Sequence, residues 1–245
     1  MWSMYAAFWL HALMNLDPLL AVLLVFPIFF GVGYLTQAIL IRPVLRGPTM
    51  TQALVTIALS LVLQTSAQTL WTADYRRALV PYSAEVIKAG LVTIEIPKLI
   101  MFVVSLTLCL SLYVALKKTF IGTAIRAVSQ DSETAQTLGI DSNRIYAITF
   151  GIGIGFVAVA GCLLSTLFYV YPYVGSTFVL LAFVVVALGG LGNYVGTLLS
   201  GFIIGVAEAI SAYYLLSSLR YVVILLMFLL VLLLKPEGIF GKRLR

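Results

Sequence analysis

Residues 197–234 read TLLSGFIIGVAEAISAYYLLSSLRYVVILLMFLLVLLL. Two uncharged apolar runs, broken only by Glu208 and the polar turn Ser217-Ser218-Leu219-Arg220, have the length and composition of a pair of membrane-crossing helices folded back as a hairpin. Further runs of the same kind cover residues 19–41, 50–71, 99–116, 145–170 and 174–188. A bilayer core about 30 Å thick takes about 20 helical residues per crossing, so the 245-residue chain has room for about seven or eight spans and for no sizeable soluble domain. Composition agrees: 62% of the residues are hydrophobic, 10% are charged and the mean hydropathy is +1.11, against about a quarter charged in soluble domains. The expected fold is an all-α polytopic membrane protein forming one domain over residues 1–245. Residues 1–16 are apolar but reach only about 24 Å as a helix, too short for an unassisted span, and they lack the basic start of a secretory signal.

Charge placement sets an expected orientation. Arg42, Arg46, Lys117, Lys118, Arg126, Arg144, Lys235, Lys242, Arg243 and Arg245 fall on one side of the alternating spans, and Arg76, Arg77, Lys88, Lys98 and Arg220 on the other. The positive-inside rule makes the first side cytoplasmic, together with the tail 235–245. The loop 72–97 is then external, and Val92-Thr93-Ile94-Glu95-Ile96 within it alternates as a short strand does. The net charge of +6 is dispersed beside the spans rather than gathered in a nucleic-acid patch. Cys109 and Cys162 lie inside apolar runs without metal-ligand spacing, and a single histidine, His11, cannot build a triad or a metal centre. No Walker A motif and no catalytic constellation is present, which excludes ATP hydrolysis by this chain.

Three features could carry function. In the cytoplasmic loop 117–144, Ile125, Val128, Ala135 and Leu138 alternate with Arg126, Asp131 and Glu133, as in one or two short amphipathic helices, with Asp131 as N-cap and Gly139 as the left-handed terminator. In span 50–71, Gln52, Thr56, Ser60, Gln64 and Gln68 recur every four residues and wind as one polar stripe. Such a stripe either bonds to other helices or lines a pathway for a small polar solute. Glu208, the one acid well inside a span, is read as a buried structural carboxyl, a contact to substrate or partner, or a proton-coupling group. Glycines 151, 153, 155 and 161, and the pairs Gly192/Gly196 and Gly201/Gly205, mark close helix packing. The break around residues 189–192 is either a turn or a hinged, discontinuous helix.

The heptad Glu133-Thr134-Ala135-Gln136-Thr137-Leu138-Gly139 resembles the Glu-Ala-Ala-x-x-x-Gly loop of ATP-binding-cassette importer permeases, with Thr134 replacing the first Ala. Together with 122–140, Ala187-Leu188-Gly189-Gly190-Leu191-Gly192-Asn193, Gly205-Val206-Ala207-Glu208-Ala209 and Lys235-Pro236-Glu237-Gly238-Ile239-Phe240-Gly241, it resembles the H-type branched-chain amino acid permeases over residues 1–241. The resemblance implies that the loop is a coupling helix seated in a cleft of a cytoplasmic ATPase, with Arg126, Asp131, Glu133, Ala135 and Gly139 at the coupling surface. Ala135 is then a small contact residue, Gly139 the turn and Glu133 a cap or polar contact. It further implies two ATPase subunits, a second permease subunit in a heterodimer, a periplasmic solute-binding protein docking on the loop 72–97, and the bacterial inner membrane as location, with no cofactor. The substrate pathway would draw on Gln52, Thr56, Ser60, Gln64 and Glu208. Family members begin with a further span and an Asn-Phe-Ala-His-Gly segment ahead of the region matching residues 4–16, and this chain is expected to be a shortened form or to start at an internal Met. An importer of urea or short amides on the same scaffold is the nearest alternative. A secondary transporter, which would need an ion site, and a membrane-embedded enzyme are further off.

Overall fold

The computed structural model describes residues 1–45, 47–78, 86–89, 92–190, 192–214, 219–235 and 238–241. Ten α-helices are found among these residues: α1 (Trp2–Met14), α2 (Pro18–Thr36), α3 (Thr49–Trp71), α4 (Ile96–Lys118), α5 (Phe120–Gln130), α6 (Ser132–Thr137), α7 (Ser142–Leu164), α8 (Val174–Gly189), α9 (Tyr194–Tyr214) and α10 (Arg220–Leu234). A π-helical turn, Gln37–Ile41, extends α2, and the strands β1 (Val86–Ala89) and β2 (Val92–Glu95) pair antiparallel with Ile87 opposite Ile94. Five helical segments are long and apolar enough to cross a bilayer: Pro18–Ile41, Thr49–Trp71, Ile96–Lys118, Ser142–Leu164 and Tyr194–Tyr214. The helices α8 and α10, at 16 and 15 residues, are apolar but shorter. The chain is therefore an all-α multi-pass membrane protein.

Several expected boundaries shift. The run 145–170 does not stay helical beyond Leu164, because the Ser165 and Thr166 hydroxyls donate to the Cys162 and Leu163 carbonyls at 2.7 and 2.8 Å and Val170 bridges to Arg76. The expected strand near 92–96 exists but acquires a partner, β1, that residues 86–89 do not signal by alternation. The turn residues Ser217 and Ser218, the tail residues Lys242, Arg243 and Arg245, Leu191 and Arg46 lie outside the described residues.

The chain divides into two compact units, residues 1–174 and 175–245. In the first, α7 is the centre. Its glycines face α2: a Cβ at Gly151 would stand 2.9 Å from the Phe30 carbonyl oxygen, and one at Gly33 would stand 2.8 Å from Ile154 Cβ. The backbones therefore meet without intervening side chains, as small residues permit. Gly153, two positions on, has nothing within 4 Å and faces away. Helix α1, at 13 residues, is shorter than a full span. It lays Ser3, Met4, Tyr5 and Ala7 inward, Ala7 joining Val25, Ala158 and Cys162 in one buried cluster. Cys162 is thus a small packing residue. Helix α2 starts on Asp17, whose carboxylate accepts the Leu19 N–H at 3.0 Å, with Pro18 at its first position. Its inner Pro27 removes one donor; within a bundle a neighbouring helix can compensate for that loss.

In the second unit, α8, α9 and α10 close on Val184, Leu188, Ile204 and Ile224. The glycine-rich break after α8 is a clamped turn rather than an open hinge. Gly190 and Gly192 take φ of +87° and +81°, the Ile239 N–H donates to the Leu188 carbonyl at 2.8 Å, and the Asn193 amide donates to the Phe240 carbonyl at 2.7 Å. A Cβ on Gly196 would strike Phe240, whereas Gly205 has open space around it, so only part of the small-residue pattern serves packing within this unit.

Candidate functional site

The loop between α4 and α7 is a compact helical knob. Thr119 caps α5 by accepting the Gly122 N–H at 3.1 Å, and α5 buries Gly122, Ala124 and Val128. Gly122 has to be glycine because a Cβ there would run into the Leu116 and Ala115 carbonyl oxygens at the end of α4. Asp131 caps α6, its Oδ1 accepting the Glu133 and Thr134 N–H groups at 3.0 and 3.1 Å. Gly139 terminates it at φ +85°, with its N–H on the Gln136 carbonyl at 3.0 Å. The Ser142 hydroxyl donates to the Ser132 carbonyl at 3.2 Å and ties the start of α6 to the start of α7.

The residues expected at the coupling surface divide accordingly. Arg126 donates to the Leu116 carbonyl and to the Thr123 hydroxyl, so its guanidinium fastens α5 onto the orphan carbonyls of α4. Ala135 is 2% exposed and turns inward, so its small size seats α6 on this chain. Glu133 and Gln136 point outward, and so does Leu138 at 76% exposure. The apolar positions Val128, Ala135 and Leu138 therefore do not share one buried face: the first two are buried and Leu138 is not. Leu138 is the C-cap of α6, where the chain leaves the helix in a Schellman turn closed by the Ile140 N–H on the Ala135 carbonyl at 3.1 Å and the Gly139 N–H on the Gln136 carbonyl at 3.0 Å.

The Thr134 hydroxyl, and then the Thr134 and Glu133 N–H groups, hold the Asp131 carboxyl below its ordinary range. A carboxyl lowered in the folded state contributes fully above its unfolded value and loses that contribution as pH falls through the lowered one. The cap is therefore insensitive to pH near neutrality and melts only in acid. Asp131→Ala is expected to raise amide hydrogen exchange at Glu133 and Thr134 several-fold at neutral pH, with the spans unaffected. Unchanged exchange would remove Asp131 from this role.

The polar stripe stays on α3, and the described chain barely covers it. Gln52 donates to the Leu45 and Gly47 carbonyls at 3.2 and 3.4 Å, which anchors the turn ahead of α3. The Thr56 and Ser60 hydroxyls, both exposed, donate into their own helix at 2.9 and 2.7 Å and keep only acceptor lone pairs outward. Gln64 is half-buried, and Gln68 accepts the Tyr173 hydroxyl at 3.1 Å. Glu208 sits in the second unit, six residues from the end of α9. Its carboxylate lies 3.6 Å from Arg220 Nη1 on α10, with both side chains about one-third exposed, at 31% and 34%. Within a span an acid needs such a partner, and Arg220 supplies it. Glu208→Gln keeps a hydrogen-bonding amide at this position and is expected to keep transport within about fivefold of the parent; a total loss in a flux assay would assign it more than a structural role.

A family model described as branched-chain amino acid transport system / permease component matches residues 1–233. The chain belongs to this permease family. LivH of Salmonella typhimurium, a high-affinity branched-chain amino acid transport system permease protein, is 37% identical over 161 residues, covering 65% of this chain and 51% of that protein. LivH of Escherichia coli K12 is 38% identical over 144 residues, 58% and 47% of the two chains. BraD of Pseudomonas aeruginosa, with the same description, is 31% identical over 218 residues, 86% and 70%. The chain spans about half the length of the LivH proteins it matches. No solved structure matches it significantly.

For a permease of this family, one group of residues escaped the sequence reading. Tyr5 and Trp9 lie one turn apart on α1, and neither the Tyr5 hydroxyl nor the Trp9 indole N–H, both buried, has a hydrogen-bond partner among the described residues. Tyr5 stacks on Trp71 at 4.5 Å between ring centroids, Trp2 meets the same ring edge-on at 5.0 Å, and the Trp2 indole donates to the Leu63 carbonyl at 3.0 Å. The aromatic end of α1 thus reaches the Gln64–Gln68 end of the stripe. The signal was the density of aromatics in residues 2–9, which reads as ordinary apolar sequence until α3 is known to lie against it.

Proposed function

We infer that this chain is the translocation subunit of an ATP-driven importer of branched-chain amino acids, working by alternating access. The observation that carries the reading is the α5–α6 knob, a rigid, capped structure on a membrane protein of this permease family that offers Glu133, Gln136 and the exposed Leu138 outward. Two cytoplasmic ABC ATPase subunits seat on this knob and on that of a second permease subunit, the two permeases forming a heterodimer. A periplasmic solute-binding protein docks on the loop 72–97 and the segment it pairs with. The membrane is the bacterial inner membrane, with the knob and the carboxyl terminus cytoplasmic, as the distribution of lysine and arginine supports. Residues 1–245 act as one permease domain, and in that arrangement lipid and the second permease subunit cover the exposed faces of α3 and α4.

Cargo selection draws on the α3 stripe and the α1 aromatics. Amide and hydroxyl groups beside stacked rings suit a small solute with an apolar side chain and a polar head. Gln64→Leu is expected to lower leucine uptake in proteoliposomes about tenfold, the worth of one lost hydrogen bond, while the complex still assembles. Normal uptake by a poorly assembling complex would instead make the stripe interhelical glue. The test of the whole reading is to purify the chain with its partners and measure ATP hydrolysis. Activity should rise with leucine-loaded binding protein, stimulation by a urea-loaded one alone would move the cargo, and the absence of a copurifying ATPase would overturn the mechanism.

A further inference from the structure

Where α2 passes into its π turn and α7 begins, a cavity of about 150 Å³ opens in the first unit, lined by Tyr34, Gln37, Arg42, Asp141, Asn143 and Arg144 among others. Its most telling residue is Gln37. The π turn settles Gln37's backbone, its N–H reaching the Gly33 and Tyr34 carbonyls and its own carbonyl accepting the Arg42 N–H at 2.8 Å. Its side chain has no such settlement. The residue is 5% exposed, and its amide makes no hydrogen bond among the described residues while facing the cavity. An amide with no protein partner that opens onto a cavity is bonded by whatever fills that cavity.

The charges around the cavity say what enters. Neither Arg42 nor Arg144 forms an ion pair among the described residues, where the ion pairs are Lys98–Glu95 and Arg220–Glu208. The single carboxylate of the lining, Asp141, is drawn into the cap of α7, its Oδ1 accepting the Asn143 and Arg144 N–H groups at 3.0 and 3.2 Å. The lining is net positive by one charge, which favours an anion over a zwitterion. Guanidinium pairs suit phosphate in particular, because their paired donors match its oxygens. The neighbouring face of the same helix is apolar and open, with Leu35 at 56% and Ile39 at 65% exposure, so a chain attached to that phosphate would run along it.

We propose that this cavity holds the phosphate of an anionic membrane lipid, with Arg42 and Arg144 on its charge, the Gln37 amide donating from the floor, and the acyl chains along Leu35 and Ile39. The site binds one lipid tightly enough to survive purification, and it requires only that the chain sits in a membrane, not that it transports amino acids.

Native mass spectrometry of the purified permease, released from nanodiscs of phosphatidylglycerol or of phosphatidylcholine, tests this. Phosphatidylglycerol should remain bound and phosphatidylcholine should not. At about 1 kcal/mol per basic residue, Arg42→Gln with Arg144→Gln should weaken retention roughly 30-fold, whereas Arg42→Lys with Arg144→Lys should keep most of it. Equal retention of both lipids, or retention unchanged in the glutamine variant, overturns the proposal. Displacement of the lipid by millimolar inorganic phosphate, with phosphate binding lost in the same variant, would keep the anion site and overturn its lipid source. Should the glutamine variant fail to fold, a salt titration of the parent decides: affinity for phosphatidylglycerol must fall with ionic strength, and an affinity independent of salt overturns the site.

Discussion

Gly151→Leu is expected to prevent the first unit from folding, while Gly153→Leu, two residues along the same helix, leaves it intact. The contrast follows from what stands beside each Cα. At Gly151 a Cβ meets a backbone oxygen of α2 at 2.9 Å and the ring of Phe30 at 3.2 Å, so it cannot be accommodated by a rotamer change. The helices would have to separate. Overpacking costs about 1–3 kcal/mol where side chains can give way, and here the obstacle is partly main chain, so the upper end of that range or more is expected. At Gly153 nothing lies within 4 Å, and leucine is a better helix former than glycine. Thermal midpoints of the two variants in detergent, read by fluorescence-detected size exclusion, check this. Matching midpoints would mean that the α2–α7 contact does not hold the unit together.

Leu138→Arg should abolish coupled ATP hydrolysis and uptake without lowering the amount of permease in the membrane. The side chain is 76% exposed, so the chain itself loses little when it is changed. If Leu138 enters an apolar cleft of the ATPase, its burial is worth about 2 kcal/mol, or roughly 30-fold in association, and an arginine there adds the penalty of an unpaired buried charge. Copurification of the ATPase with the tagged permease, alongside uptake in proteoliposomes, gives the two readouts. Ala135→Val makes the complementary case: it should disturb the seating of α6 and lower stability, because Ala135 faces its own chain. Full activity of Leu138→Arg would move the coupling surface elsewhere on the knob.

Most of the architecture could be read from residue order. The spans announce themselves because a long apolar run in lipid satisfies its backbone polar groups within one segment only as a helix, and Asp131 and Gly139 mark the ends of α6 through capping chemistry local to the chain. The direction in which each knob residue faces was not readable. Ala135 and Leu138 sit three apart, as on one helix face, but α6 ends at Thr137 and the Schellman turn after it carries Leu138 outward. Arg126 looked like a surface contact until the carbonyl of Leu116 came within its reach.

The sequence by itself determined that this is a multi-pass helical membrane protein with one built helical knob between its spans, because hydropathy and capping act within a few residues of chain. Only the tertiary structure decided which glycines are contacts, that Trp2 and Tyr5 meet α3 at the end of the polar stripe, that Glu208 has Arg220, and that Gln37 lines a cavity with two arginines. Each of these depends on elements distant in sequence arriving at the same place, and no local propensity encodes that distance.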